Sequence, residues 1–196
     1  PAATPRELRH IALRAYYGAA LAERVPLQSR EEHTMDIGPD LLGAIGPVLD
    51  VFARLGIAYY VGGSVASSLY GIPRATLDVD LVAEVRAEHV VPLMQALQGD
   101  YYVDEQAMRE AIAHESSFNL ISLATMLKVD VFIRKQRAFD DLAFARVRAE
   151  QVAEGDAART LTLPSAEDMI LAKLEWYRLG GEVSDRQWGD ILGMLK

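Results

Sequence analysis

Apolar residues recur along this chain at two spacings, and the switch between them marks out its elements. Over residues 6–24, Leu8, Ile11, Ala15, Ala19 and Ala22 fall at helical spacing, and Pro26 closes the run. A polar stretch follows, and from about Met35 the sequence reads as a self-contained domain. Residues 40–55 predict a helix with Leu41, Ile45, Val48, Leu49 and Phe52 on one side, kinked or broken at Pro47 and ended by Gly56. Residues 57–61 predict a short strand, Gly62-Gly63-Ser64 a tight turn, and 65–70 a second short helix. Beyond a loop broken by Gly71 and Pro73, residues 77–82 alternate as a strand, with Leu77, Val79 and Leu81 on one face and Asp78 and Asp80 on the other.

The same periodicities predict a helix over 88–97, a strand over 101–103 and a helix over 104–113. Two paired strands follow over 118–121 and 126–133, the second carrying Lys128 and Asp130 on one face. After Arg134 the pattern is mainly helical. Ser165 with Asp168 and Ser184 with Gln187 have the spacing of helix-start capping pairs, and Gly180-Gly181 separates the last two helices. The expected organisation is an N-terminal helical extension (1–35), a core (36–138) and a C-terminal helical lobe (139–196). In fold class this is α/β, a small mixed sheet with helices packed on it.

Composition narrows the function. The 196 residues are 51% hydrophobic, enough for an ordinary core, and no apolar run approaches the ~20 residues a membrane span needs. No secretory signal pattern opens the sequence, and cysteine is absent, which excludes disulfides, thiol catalysis and thiolate metal sites. These features fit a cytoplasmic protein. The formal charge of −8 argues against broad, non-specific grip on nucleic acid and leaves only a local basic patch for that purpose.

The candidate chemistry lies in the glycine turn and three acids. Between a strand and a helix, the backbone N–H groups of Gly62, Gly63 and Ser64 can face phosphate oxygens, and glycine lets them approach closely. The turn alone reads equally as a plain connection. Asp78 and Asp80, two apart on a strand, point the same way and repel unless a cation lies between them; the alternative is an acidic solvent-facing edge. Asp130, between Val129 and Val131, is costly to bury without a partner. It either joins the other two around a metal or pairs simply with Lys128.

Gly62-Gly63-Ser64, thirteen residues, then Asp78-Val79-Asp80-Leu81, resembles the signature of the nucleotidyltransferase superfamily, and Asp130 matches its third metal carboxylate. Arg74 and Thr76 before the acid pair, Lys128-Val129-Asp130, Glu167-Asp168 with Lys173, and residues 184–190 ending in Asp190 resemble motifs of its AbiEii-toxin-like branch. The last motif departs from those toxins, which usually carry a basic residue directly before an Asp in its middle. The resemblance runs from Asp36 to the C-terminus.

It implies a polymerase-beta-like nucleotidyltransferase fold and transfer of a nucleoside monophosphate from an NTP to an acceptor. Asp78, Asp80 and Asp130 would hold Mg²⁺ or Mn²⁺ as the catalytic acids. Gly62, Gly63, Ser64, Arg74, Thr76, Lys128 and Lys173 would bind the nucleotide. The acceptor would be a tRNA or protein, with an antitoxin partner, or else a small molecule of the aminoglycoside kind. A non-catalytic nucleotide-binding module is the other class.

Further residues stay open between two roles. Lys173 reaches the triphosphate or snorkels at the surface, and Asp190 positions Lys173 or is an exposed helix carboxylate. Arg74 holds a phosphate or braces a loop. The cluster 134–137 receives an acidic acceptor or is a charged turn. Trp176 and Trp188 are expected to pack the last two helices together, and His10, His33, His89 and His114, which lack metal-ligand spacing, to be surface residues.

Overall fold

The computed structural model describes residues 38–71, 76–152 and 159–195. The expected 1–35 extension and Arg74 lie outside the described residues.

Helix α1 (Pro39–Leu55) starts with proline at its first turn, where no N–H is needed, and ends at Gly56 in the left-handed region (φ 68°). It runs through Pro47 without a break, burying Ile45, Val48, Leu49 and Phe52 as the apolar spacing requires. Strand β1 (Tyr59–Val61) leads through Gly62 into α2 (Gly63–Tyr70), and β2 spans Asp78–Ala83. Leu77 precedes β2 and is 80% exposed, so it does not share the buried face of Val79 and Leu81.

A short 3₁₀ turn (Ala87–His89) and α3 (Val90–Leu97) follow, then β3 (Tyr101–Tyr102) and α4 (Glu105–Ala113), capped by the Asp104 carboxylate accepting from the Ala107 N–H at 3.0 Å. Strands β4 (Ser117–Ser122) and β5 (Lys128–Ile133) complete the sheet.

The sheet order is β1-β2-β5-β4-β3. Only β2 and β5 run parallel; the other neighbours are antiparallel. Alternation then sorts the two faces. Val61, Val79, Leu81, Val129, Val131, Phe118 and Leu120 point into the core against α1, α3 and α4. Tyr60, Asp78, Asp80, Lys128, Asp130 and Phe132 point the other way. The Tyr101 hydroxyl donates to the Ala44 carbonyl at 2.8 Å, fastening the edge strand to α1.

The stretch after Arg134 contains more than helices. Between α5 (Ala138–Ala145) and α6 (Ala166–Leu179) lies an antiparallel hairpin, β6 (Arg148–Val152) with β7 (Arg159–Leu163), and β7 packs beside β1. Its polar sequence concealed it: only Val152, Leu161 and Leu163 are buried hydrophobics there. Ser165 and Ser184 cap α6 and α7 (Asp185–Met194) as their spacing predicts. Helix α2 packs on both α6 and α7, so these helices share one hydrophobic cluster with the sheet.

Candidate active site

The parallel β2–β5 pair decides what the acids can do. Its register sets Asp80 beside Asp130 and Asp78 beside Lys128, on the face turned away from the core. Paired strands lie about 4.8 Å apart, so Asp80 and Asp130 are immediate neighbours. Asp78 and Asp80 share that face by the period of two. Three acids from chain positions about fifty residues apart therefore occupy one end of one face.

The glycine turn lies against them. The Gly62 N–H donates to the Asp80 carbonyl at 2.8 Å, and a Cβ on Gly63 (φ 54°) would collide with the Asp80 carboxylate. Glycine is thus required twice at position 63, by its left-handed backbone and by the carboxylate packed over it. Ser64 is buried in the first turn of α2.

Each acid has a distinct environment. Asp78 accepts from the Thr76 hydroxyl at 2.6 Å. Asp130 pairs with Lys128, Oδ2 to Nζ at 2.8 Å. Burial, reinforced by the charges of Asp78 and Asp130, pushes the Asp80 carboxyl up to about 6, with Lys173 and Lys128 pulling the other way. With Thr76 and Lys128 holding two of the side chains, no group of three acids or histidines among the described residues is already converged as a cation-binding set. The donor chemistry still fits a hard divalent ion: three carboxylates on one face, held close enough that one resists ionisation.

A cleft of about 710 Å³ opens over the glycine turn and Asp80. Gly62, Gly63, Ser64, Asp80 and Lys173 line its inner end; Phe132, Lys135, Trp176 and Arg186 line it further out. Lys173 is not a surface lysine. Its ammonium donates to Asp190 at 2.8 Å, with the two side chains 10% and 8% exposed, so Asp190 is not an exposed carboxylate either. The pair joins α6 to α7 and holds a cation within reach of Asp80's field.

No protein-family model matches the chain, and no curated protein does. Among solved structures, the chain is similar to a lincomycin-bound lincosamide antibiotic adenylyltransferase at 15% identity, over 83% of this chain and 98% of that one, with TM-score 0.46. It is similar to an antigenic nucleotidyltransferase-like protein from Paracoccidioides brasiliensis at 22% identity, over 76% and 71%, with TM-score 0.49. It is also similar to the antibiotic-resistance factor ANT(2'')-Ia at 12% identity, over 82% and 84%, with TM-score 0.49.

Two further expectations change once the side chains are placed. Trp188 packs between the last helices, its ring 5.5 Å from that of Tyr177, but Trp176 does not. Trp176 is half exposed in the cleft, edge-on to Phe132 at 5.8 Å. The 134–137 cluster divides: Arg134 bridges Glu84 and Asp141, and Arg137 holds Asp140 and Glu175, while Lys135 lines the cleft. Among the described histidines, the ring of His89 accepts from the Arg86 N–H and that of His114 lies 2.9 Å from the Glu110 carbonyl.

Burial also pushes the Tyr60 hydroxyl, at the cleft wall, far above its ordinary range, aided by the charges of Asp140 and Asp168. Tyr60 and Phe132 are cleft residues the sequence reading passed over. The signal was their position two residues beyond the turn-side and acid positions on the same faces.

Proposed function

We propose that this chain is a divalent-metal-dependent nucleotidyltransferase, moving a nucleoside monophosphate from an NTP to a hydroxyl acceptor. The observation that carries this reading is the register of β2 with β5, which sets Asp80 beside Asp130 under the Gly62–Ser64 turn. An acid pair on one strand with a third acid on its parallel neighbour, beside a glycine turn entering a helix, suits triphosphate and cation together.

In this reading the N–H groups around Gly63 and Ser64 cradle the β- and γ-phosphates, and Lys173, fixed by Asp190, adds a point charge. Asp78, Asp80 and Asp130 hold Mg²⁺ or Mn²⁺, which when bound neutralises the triphosphate and steadies the charge that develops on transfer. The acceptor oxygen attacks the α-phosphorus, and the bond from that phosphorus to the β-bridging oxygen breaks. Pyrophosphate leaves, and the acceptor proton passes to a carboxylate, for which Asp130 is the assigned base. For Asp130 to act so, Lys128 must let go of it and turn toward phosphate.

The acceptor is a tRNA or protein if the chain acts as the toxin of a toxin–antitoxin pair, and a small hydroxyl compound if it modifies drugs. The test of the common chemistry comes first. A non-hydrolysable NTP analogue should bind with Mg²⁺ and lose most of its affinity with EDTA, and labelled NTP should yield pyrophosphate with an accepting extract. The Asp78→Ala/Asp80→Ala double variant should fold and show neither behaviour. Full turnover by that variant would defeat the proposal. Metal-dependent binding with no transfer to any acceptor would make the chain a nucleotide-binding module instead.

A further inference from the structure

The outer half of the cleft has a chemistry of its own, and that chemistry bears on the acceptor. Every charged group lining the cleft can be sorted by its partner. Asp140 and Glu175 are both bound by Arg137, with Arg137 Nε 2.6 Å from Asp140 Oδ2 and Nη1 2.5 Å from Glu175 Oε1. Lys173 is bound by Asp190. Asp80 belongs to the acid cluster at the inner end. Three charged groups remain without an ion-pair partner among the described residues: Lys135, Arg186 and Glu115. Lys135 is part-buried, where an unpaired ammonium is costly, and Arg186 sits at the start of α7.

The apolar part of this half is aromatic. Trp176 is 50% exposed, yet its ring is braced edge-on by Phe132, and Phe139 and Leu179 line the same space. A tryptophan held in place by one neighbour with its remaining surface open offers a preformed stacking surface.

On the reading proposed above, we infer that the outer half of the cleft is the acceptor subsite. Its acceptor carries a planar ring to stack on Trp176 and an anionic group to meet Lys135 and Arg186, which is the chemistry of a nucleotide. A polycationic acceptor of the aminoglycoside kind does not fit, because Glu115 is the one acid there not already held by a cation of the protein. A ring-free acceptor would leave Trp176 unused.

Two sources share this chemistry, a free nucleotide and the 3′ end of a single-stranded RNA. The experiment separates them and keeps the inference distinct from the reading it rests on. Full-length protein is first saturated with a non-hydrolysable NTP analogue and Mg²⁺, which fills the inner half. Cytidine monophosphate, a short single-stranded RNA with a free 3′ hydroxyl, and kanamycin are then titrated by calorimetry, with tryptophan emission followed in parallel.

The nucleotide or the RNA should bind and quench emission, and kanamycin should not bind. Trp176→Ala should weaken that binding about tenfold or more, with Trp176→Phe recovering most of it. Lys135→Gln/Arg186→Gln should weaken it and remove its salt dependence. Affinity for the NTP analogue should change less than about twofold in these variants. Preferred binding of kanamycin, equal affinity of wild type and Trp176→Ala, or no binding of any probe while the NTP analogue still binds would each overturn the acceptor assignment alone. Failure of the analogue to bind would instead bring down the nucleotidyltransferase reading.

Discussion

Lys128 Nζ lies 2.8 Å from Asp130 Oδ2, two residues along the same strand, and its register partner across the parallel pair is Asp78. One ammonium thus stands among the acids of the candidate site, where it acts as a counter-ion. Its own pKa is raised by the hydrogen bond to Asp130 above all, with the charges of all three acids adding to it. A divalent cation arriving at the cluster has to displace it.

Replacing this lysine by methionine should therefore separate stability from cation binding. Lys128→Met should melt lower than wild type in EDTA, because three acids lose their counter-ion. Millimolar Mg²⁺ or Mn²⁺ should raise its melting temperature by more than it raises that of wild type. Equal metal-induced shifts in a thermal scan would show that Lys128 does not occupy the cation's place.

Asp80 gives a pH dependence with a definite sign. Its carboxyl is raised to about 6 from an ordinary value of 3.8. The native state therefore binds this proton more tightly than the unfolded chain does. The side chain is harmless below about pH 4, grows destabilising as pH rises through 6, and costs its full amount above that. Asp80→Asn should be more stable than wild type at pH 8, by on the order of 2 kcal/mol, with the difference vanishing near pH 4. Urea melts at the two pH values test it, and a gap that widens toward acid would contradict the assignment. Cation affinity should fall below pH 6 in wild type for the same reason, since proton and metal compete.

Gly63→Ala should be far worse than an ordinary glycine substitution. A methyl there meets both the left-handed backbone (φ 54°) and the Asp80 carboxylate. The expected loss is more than about 2 kcal/mol, combining backbone strain with overpacking. Chemical denaturation measures it. Gly99→Ala, in open space, serves as the control and should change stability little.

The Lys173–Asp190 pair predicts a double-mutant result. Removing one partner of a buried pair strands the other charge and typically costs about 3–5 kcal/mol. Asp190→Asn should destabilise strongly, and Lys173→Met/Asp190→Leu should recover most of the stability by filling the same space with apolar groups. Neither variant should regain nucleotide binding. Recovery of binding in the apolar double variant would mean that the pair is only a strut between α6 and α7.

The chain pattern already carried much of this. The alternation over 78–83 and 128–133 gave the right faces for all three acids, and the glycine turn stood at its expected place between strand and helix. What the pattern could not carry was pairing. Nothing in the sequence fixes which residue of β5 stands beside Asp80, because that depends on a crossover whose length is set by two other helices and two more strands. Trp176 was misplaced for a related reason. Adjacent residues on a helix point about 100° apart, so Tyr177 faces Trp188 while Trp176 faces β5, and periodicity alone does not say which neighbour covers which flank. The β6–β7 hairpin escaped because Arg148, Glu150, Arg159 and Thr160 dilute its apolar positions.

The parallel pairing of β2 with β5 has a consequence for the order in which the protein is made. A ribosome that has emitted the chain as far as residue 127 has released the glycine turn, the Asp78/Asp80 pair and one antiparallel neighbour for β2, but not the strand that closes its other side. At that stage the two acids sit on an open edge with neither Asp130 nor Lys128 beside them. Only when the following six residues dock does the edge close, and the same event delivers the third acid and the ammonium that neutralises it.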